Sequence, residues 1–135
     1  MSWQEQSKAA HYESFKEEAE RKLKQFEEQM AIRGVKLDAD KPPMSLLDRH
    51  ALEAIAGVLA FGARKYSAHN WRKGIEYSRL LDAAIRHLYA FSDGEDVDPE
   101  SGLSHVAHAG CCVMFLLGTI EARPDMDDRY KEEGQ

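Results

Sequence analysis

The sequence predicts an all-α fold, a helical bundle of three core helices preceded by a charged amphipathic helix. Three observations predict it. Apolar residues recur at steps of three and four, which is the helical period. Serine and aspartate stand where the periodic segments begin and can accept from unpaired helix N–H groups. No segment alternates in the manner of a strand, and no internal repeat is visible. The 135 residues are one domain's length, with enough apolar residues for a core once the ends are set aside.

The first element lies within residues 1–34. Tyr12, Phe15, Ala19, Leu23, Phe26 and Met30 form a narrow stripe among glutamates and lysines, and Gly34 is a stop signal. Such a helix docks its stripe on its own core or, given the heptad-like spacing, pairs with another copy. Residues 35–122 form the core. Asp40-Lys41-Pro42-Pro43 is extended, because proline disfavours helix in the residue before it. Ser45 or Asp48 caps a helix reaching about Lys65. Residues 67–77 make a polar loop with His69, Asn70, Trp71 and Gly74, and Ser78 caps a second helix to about Ser92. An acidic loop then leads into a third helix, from about Ser101 to Ala122. It is apolar nearly all round, which predicts the deepest burial. Residues 123–135 are a charged tail containing Pro124, expected to fray.

Bulk properties narrow the function. The net charge of −6 is spread along the chain, which disfavours non-specific nucleic-acid binding while leaving room for local basic clusters. The N-terminus is polar, unlike a signal peptide, and the apolar run Ala109–Leu117 is too short to span a bilayer. Cys111 and Cys112 are adjacent in an apolar helix and cannot easily pair. A reduced, cytoplasmic protein without a membrane partner is expected.

Chemistry enters where charge interrupts apolar helices. Asp82, Arg86, His87, His105 and His108 stand among alanines and leucines, and an unpaired charge in such a place costs several kcal/mol, roughly. They suggest a polar centre inside the bundle. Asp82 and Arg86, four apart, can be a surface ion pair of about 0.2–0.5 kcal/mol. Alternatively Asp82 is a metal ligand or general base, and Arg79 and Arg86 hold phosphate. His105 and His108 share a helix face one turn apart. They can share a metal, divide phosphate binding from proton transfer, or simply bond to the acidic loop. Cys112, one turn on, lacks an obvious partner set for zinc.

The acidic loop holds Asp93, Glu95, Asp96, Asp98 and Glu100. Capping by Asp98 or Ser101, with Pro99 in the first turn, explains two or three of these acids. The surplus suggests Mg²⁺ or Mn²⁺ on oxygen ligands. In the first core helix Glu53 stands alone among apolar residues and is its best metal-ligand candidate. Gly57 and Ala60 leave room for a ligand or for close helix approach. Arg64 and Lys65 satisfy the helix dipole or grip a polyphosphate, with Asn70 and Trp71 recognising and stacking a base.

Three blocks carry a resemblance: Leu37-Asp-Ala-Asp-Lys-Pro-Pro, then Phe61-Gly-Ala-Arg-Lys-Tyr with Asn70-Trp71 and Gly74, then Gly94-Glu-Asp-Val-Asp-Pro-Glu-Ser-Gly-Leu-Ser-His-Val-Ala-His-Ala-Gly-Cys-Cys. Over about residues 35–121 the chain resembles a phage-associated family, formerly a domain of unknown function, labelled the N-terminal domain of dATP/dGTP diphosphohydrolase. The resemblance implies a relation to all-α MazG-like pyrophosphohydrolases, which use magnesium on helix carboxylates and are typically oligomers. Their paired Glu-x-x-Glu and Glu-x-x-Asp helices are absent here. Glu53 is followed at the third place by Ala56, and the last helix offers His105-x-x-His108.

Together these features lead to an expected metal-dependent hydrolase that cleaves purine (deoxy)nucleoside triphosphates to monophosphate and pyrophosphate. Glu53, Asp82, Asp98 and Glu100 would hold one or two Mg²⁺ (or Mn²⁺) ions and orient water. Lys65, Arg79 and Arg86 would neutralise phosphate. Asp82, His105 or His108 would move protons, while Asn70 and Trp71 would contact the base. The alternative is a protein that binds and sequesters a phosphorylated nucleotide without cleaving it. A homo-oligomer in the cytoplasm, the host's if phage-encoded, is expected.

Overall fold

The computed structural model describes residues 2–134. They form two compact units, one up to Pro42 and one from Pro43 on, with four α-helices and no strand among the described residues. The architecture is all-α, as the periodicity predicts.

The first unit is dominated by α1, Trp3–Ile32. Ser2 and Glu5 close a capping box: Ser2 N–H donates to Glu5 Oε2 at 2.7 Å, and Glu5 N–H to Ser2 Oγ at 3.3 Å. Taken by itself the helix buries none of its residues. Its stripe steps by three, four, four, three and four, so Tyr12/Leu23, Phe15/Phe26 and Ala19/Met30 repeat at eleven residues. Eleven residues per three turns is slightly slower than the α-helix itself, so the stripe runs nearly straight and does not wind as a heptad does.

In the second unit α2 spans Arg49–Lys65, α3 Tyr77–Ser92 and α4 His105–Ala122. Asp48 caps α2, accepting from Ala51 N–H at 2.7 Å. The central helix is α4, which packs along α3 and also against α2. Val58, Ala107 and Cys111 form the buried cluster, flanked by Ala54, Ile55, Leu59, Leu103 and Phe115, while α3 adds Tyr77, Leu80 and Ala84. Two glycines of α4 allow close approach. A Cβ at Gly110 would lie 3.1 Å from Ile55 Cδ1, and one at Gly118 2.6 Å from the Trp71 ring. By length and composition α4 could cross a membrane, which corrects the expectation that no apolar segment is long enough. Its place between α2 and α3 is that of a core helix.

Three expectations change. Ser78 does not cap α3; the cap position is Glu76, without a side-chain bond. Instead Asp128 takes Ser78 N–H at 2.9 Å and also accepts from its hydroxyl. The residues after Ala122, expected to fray, therefore fold back onto α3, and Arg129 lies over the Tyr77 ring. Finally, α4 starts at His105 and not near Ser101, because Ser104 supplies the cap, accepting from Val106 and Ala107 N–H. That frees Asp98 and Ser101 for the loop. Val97 bridges Ser104, Asp98 N–H donates to Leu103 O at 2.8 Å, and Gly102 turns the chain at φ +70.

Candidate functional site

A cleft of about 970 Å³ opens within the second unit between α2, the turn Asn70–Lys73, α3 and α4. That volume suits a nucleotide-sized ligand. Val58, Leu80, Met114 and Phe115 supply apolar wall, and His87, His108, Asp98, Glu100, Lys65 and Arg86 supply its polar edge.

His87 reaches this edge because it continues the buried stripe of α3, one face running Leu80, Ala84, His87. His105 and His108 come from the first turn of α4, which Ser104 starts at the right register. The three rings converge. His87 stacks on His108, centroids 4.6 Å apart and 17° between planes, and its Nδ1 lies 2.9 Å from Nδ1 of His105. Asp98 enters from the loop, its Oδ2 accepting from the Ser101 N–H at 3.0 Å and hydroxyl at 2.9 Å. Ser101 Oγ is also 2.7 Å from His108 Nε2. Since the hydroxyl has one proton and gives it to the carboxylate, His108 Nε2–H is the donor in that contact. Its Nδ1 therefore carries the lone pair.

Charge follows burial here. Burial lowers the pKa of His87, aided by the neighbouring His108 and His105, and burial lowers that of His108 against the pull of Asp98. The imidazoles are biased toward the neutral form, the form that ligates metals. Burial pushes Asp98 up, but its two bonds from Ser101, with His108 and His87 nearby, outweigh this and hold it below the usual range. His87, Asp98 and His105 present ligand atoms within 4.8 Å of one another. Two imidazole nitrogens and a carboxylate oxygen fit a divalent ion chemically.

The remaining predicted residues divide. Lys65 and Glu100 line the cleft but are hydrogen-bonded to each other, and that bond raises the lysine pKa. A phosphate or metal arriving there must compete with their pair. Arg86 lines the cleft and makes no ion pair among the described residues. Asn70 and Trp71 line it too, yet Trp71 is committed to the fold: it stacks on Phe115 at 4.9 Å and lies under the Arg72 guanidinium at 4.5 Å. Three residues are not brought to the cleft. Glu53 is exposed and holds Arg49 at 2.7 Å, Arg79 is exposed beside Glu76, and Asp82, one turn before Arg86, is exposed and does not line the cleft. Of the two adjacent cysteines, Cys111 is buried, and burial pushes its thiol up to about 12.

Residue reading alone gave no site role to Ser101 or Tyr66, and placed His87 in a polar centre without a specific role. The buried period of α3 already marks His87. Ser101 was read only as a cap, and Tyr66 at the cleft mouth carries no sequence signal of its own.

Fold and cleft define an all-α bundle with an imidazole–carboxylate site beside a cavity of nucleotide size. The chain belongs to the family described as dATP/dGTP diphosphohydrolase, N-terminal, whose model matches residues 31–129. It is similar to a protein named dATP/dGTP diphosphohydrolase from Salmonella phage PMBT28, 44% identical over 96 residues, which is 71% of this chain and 33% of that protein. The chain thus spans about a third of that relative's length. No solved structure matches it.

Proposed function

We propose that the chain binds a purine (deoxy)nucleoside triphosphate in the cleft and takes part in its hydrolysis to monophosphate and pyrophosphate, with Mg²⁺ or Mn²⁺. The observation that supports this most is the polar edge, where Arg86 and Lys65 face the same cavity as Asp98, His87 and His108. The names of the family and of the phage relative supply the reaction class.

On this reading the apolar wall takes the base and sugar. Arg86 and Lys65 hold phosphate oxygens and offset the charge that grows on the departing pyrophosphate. A magnesium ion carried by a triphosphate needs only one or two protein carboxylates, and Glu100, once released by Lys65, is the one at the mouth. His108 accepts the proton of the attacking water at Nδ1, the nitrogen that its bond to Ser101 leaves with a lone pair. The proton leaves toward bulk water, the new P–O bond forms as the α–β bridge breaks, and pyrophosphate departs. The protein acts as a homo-oligomer in the cytoplasm. Exposed apolar stripes on its helices support the association.

The test is a panel of nucleoside and deoxynucleoside triphosphates with Mg²⁺ or Mn²⁺, products separated by chromatography. Monophosphate and pyrophosphate should appear for dATP or dGTP and vanish with chelator. A second reading, binding without turnover, is favoured by the Lys65–Glu100 pair and by the third of the relative that this chain covers. It wins if nucleotides bind and remain intact.

A further inference from the structure

We infer that His87, Asp98 and His105 form a site for one divalent first-row transition ion, manganese through zinc, opening into the cleft. Their ligand atoms lie within 4.8 Å of one another. Donors about 2.1 Å from a common ion stand about 3.0–3.4 Å apart at right-angle or tetrahedral positions, so closing the widest pair needs a shift of at most about 1.4–1.8 Å. One pair is already in place. The two Nδ1 atoms are 2.9 Å apart, the spacing of donors at a right angle on an ion about 2.05 Å away.

The protonation pattern agrees. As a plain hydrogen bond, that contact requires one Nδ1–H and one lone pair. His105 is only 4% exposed, and its Nε2 is buried without a hydrogen-bond partner. The nearest acid is Glu95, with Oε2 at 3.6 Å. A lone pair on Nε2 would face a carboxylate, whereas a proton there faces it favourably. With the proton on Nε2, the Nδ1 lone pair of His105 is aimed toward His87. A carboxylate behind the far nitrogen is the usual means of orienting a metal-bound imidazole and raising its basicity.

The donor set selects the ion. Imidazole nitrogen suits manganese to zinc, and magnesium prefers oxygen throughout. Three protein ligands leave at least one position open, the build of a working site and not a structural one. His87 and Asp98 line the cleft and His105 does not, so the open side faces the cavity. The site is distinct from the ion a triphosphate carries in, and it stands whether or not the chain hydrolyses nucleotides.

The test uses the untagged chain, freed of metal and without nucleotide, titrated with Co²⁺ in the visible range and with Zn²⁺ and Mn²⁺ by calorimetry. One equivalent should bind, with d–d absorption, no thiolate charge-transfer band, and no displacement by excess Mg²⁺. His87→Gln and Asp98→Asn should each weaken binding at least about tenfold, with the fold checked by circular dichroism, and Cys112→Ser should bind as the parent does. Nitrogen-15 NMR of the parent is the arm that needs no variant: Zn²⁺ should move Nδ1 of His87 and His105. Absence of stoichiometric uptake, parental affinity in both variants, loss of binding in Cys112→Ser, or unmoved Nδ1 signals would overturn the assignment.

Discussion

At the scale of single residues, the cleft separates groups that sequence spacing treats alike. Asp82 and Asp98 are both acids beside apolar helices, yet only Asp98 is drawn in, because Ser101 donates to it twice and two imidazoles adjoin it. Asp98→Asn should therefore loosen the Ser101 contact that orients His108 and lower turnover about tenfold or more, while Asp82→Asn should leave it within twofold; steady-state rates on the preferred triphosphate decide. Arg86→Ala should raise KM about tenfold or more, since a hydrogen bond to a charged group is worth about 1.5–3 kcal/mol. The cysteines provide a check on burial. With its thiol pushed up to about 12 and its side chain in the core, Cys111 should resist alkylation at pH 8 in the folded chain and react once denatured, read by mass spectrometry. His87 was legible in the stripe Leu80, Ala84, His87; its meeting with His105 was not, since that contact joins residues 18 apart through the intervening loop.

At the scale of elements, the helices were legible and their ends less so. Periodicity marks α2, α3 and α4 because each buries one face, but caps depend on whichever oxygen arrives first. Ser104 caps α4 where Ser101 was expected, and Asp128, fifty residues away, serves the start of α3 where Ser78 was expected to serve itself. Asp128→Ala should lower the melting temperature by a few degrees at neutral pH. The bonds from Ser78 hold the Asp128 carboxyl below its ordinary value. Its contribution is therefore full above the unfolded carboxyl's pKa, near 4, and fades as pH falls through the lower folded value. The variant and parent melting curves should converge in that acid range. Gly118→Ala tests the close approach of the Trp71 turn: a Cβ 2.6 Å from the indole should cost about 1–3 kcal/mol in denaturant unfolding, as overpacking does.

At the scale of the whole molecule, the second unit's core is thin. No large side chain is fully buried among the described residues, while Leu88 is 47% and Leu117 67% exposed. Leu81, Ile85 and Leu88 form one stripe on α3, and Val106, Val113, Leu117 and Ile120 another on α4. Stripes of this kind belong against a partner helix. The proposed homo-oligomer accordingly predicts that sedimentation will give a mass above that of one chain. Leu88→Glu or Leu117→Glu should shift it toward the monomer; a monomeric parent would remove the oligomer from the reading.

The all-α class, the order of helices and the residue types of the site follow from the sequence by itself, because helical period and turn chemistry are local properties written every few residues. Which of the many acids and bases share a cleft was decided only in three dimensions. Helix register and loop closure select Asp98, His87 and His108, with His105 set against His87, over Glu53, Asp82 and Arg79. Such a choice depends on a few ångströms between distant segments, and spacing along one chain does not encode it.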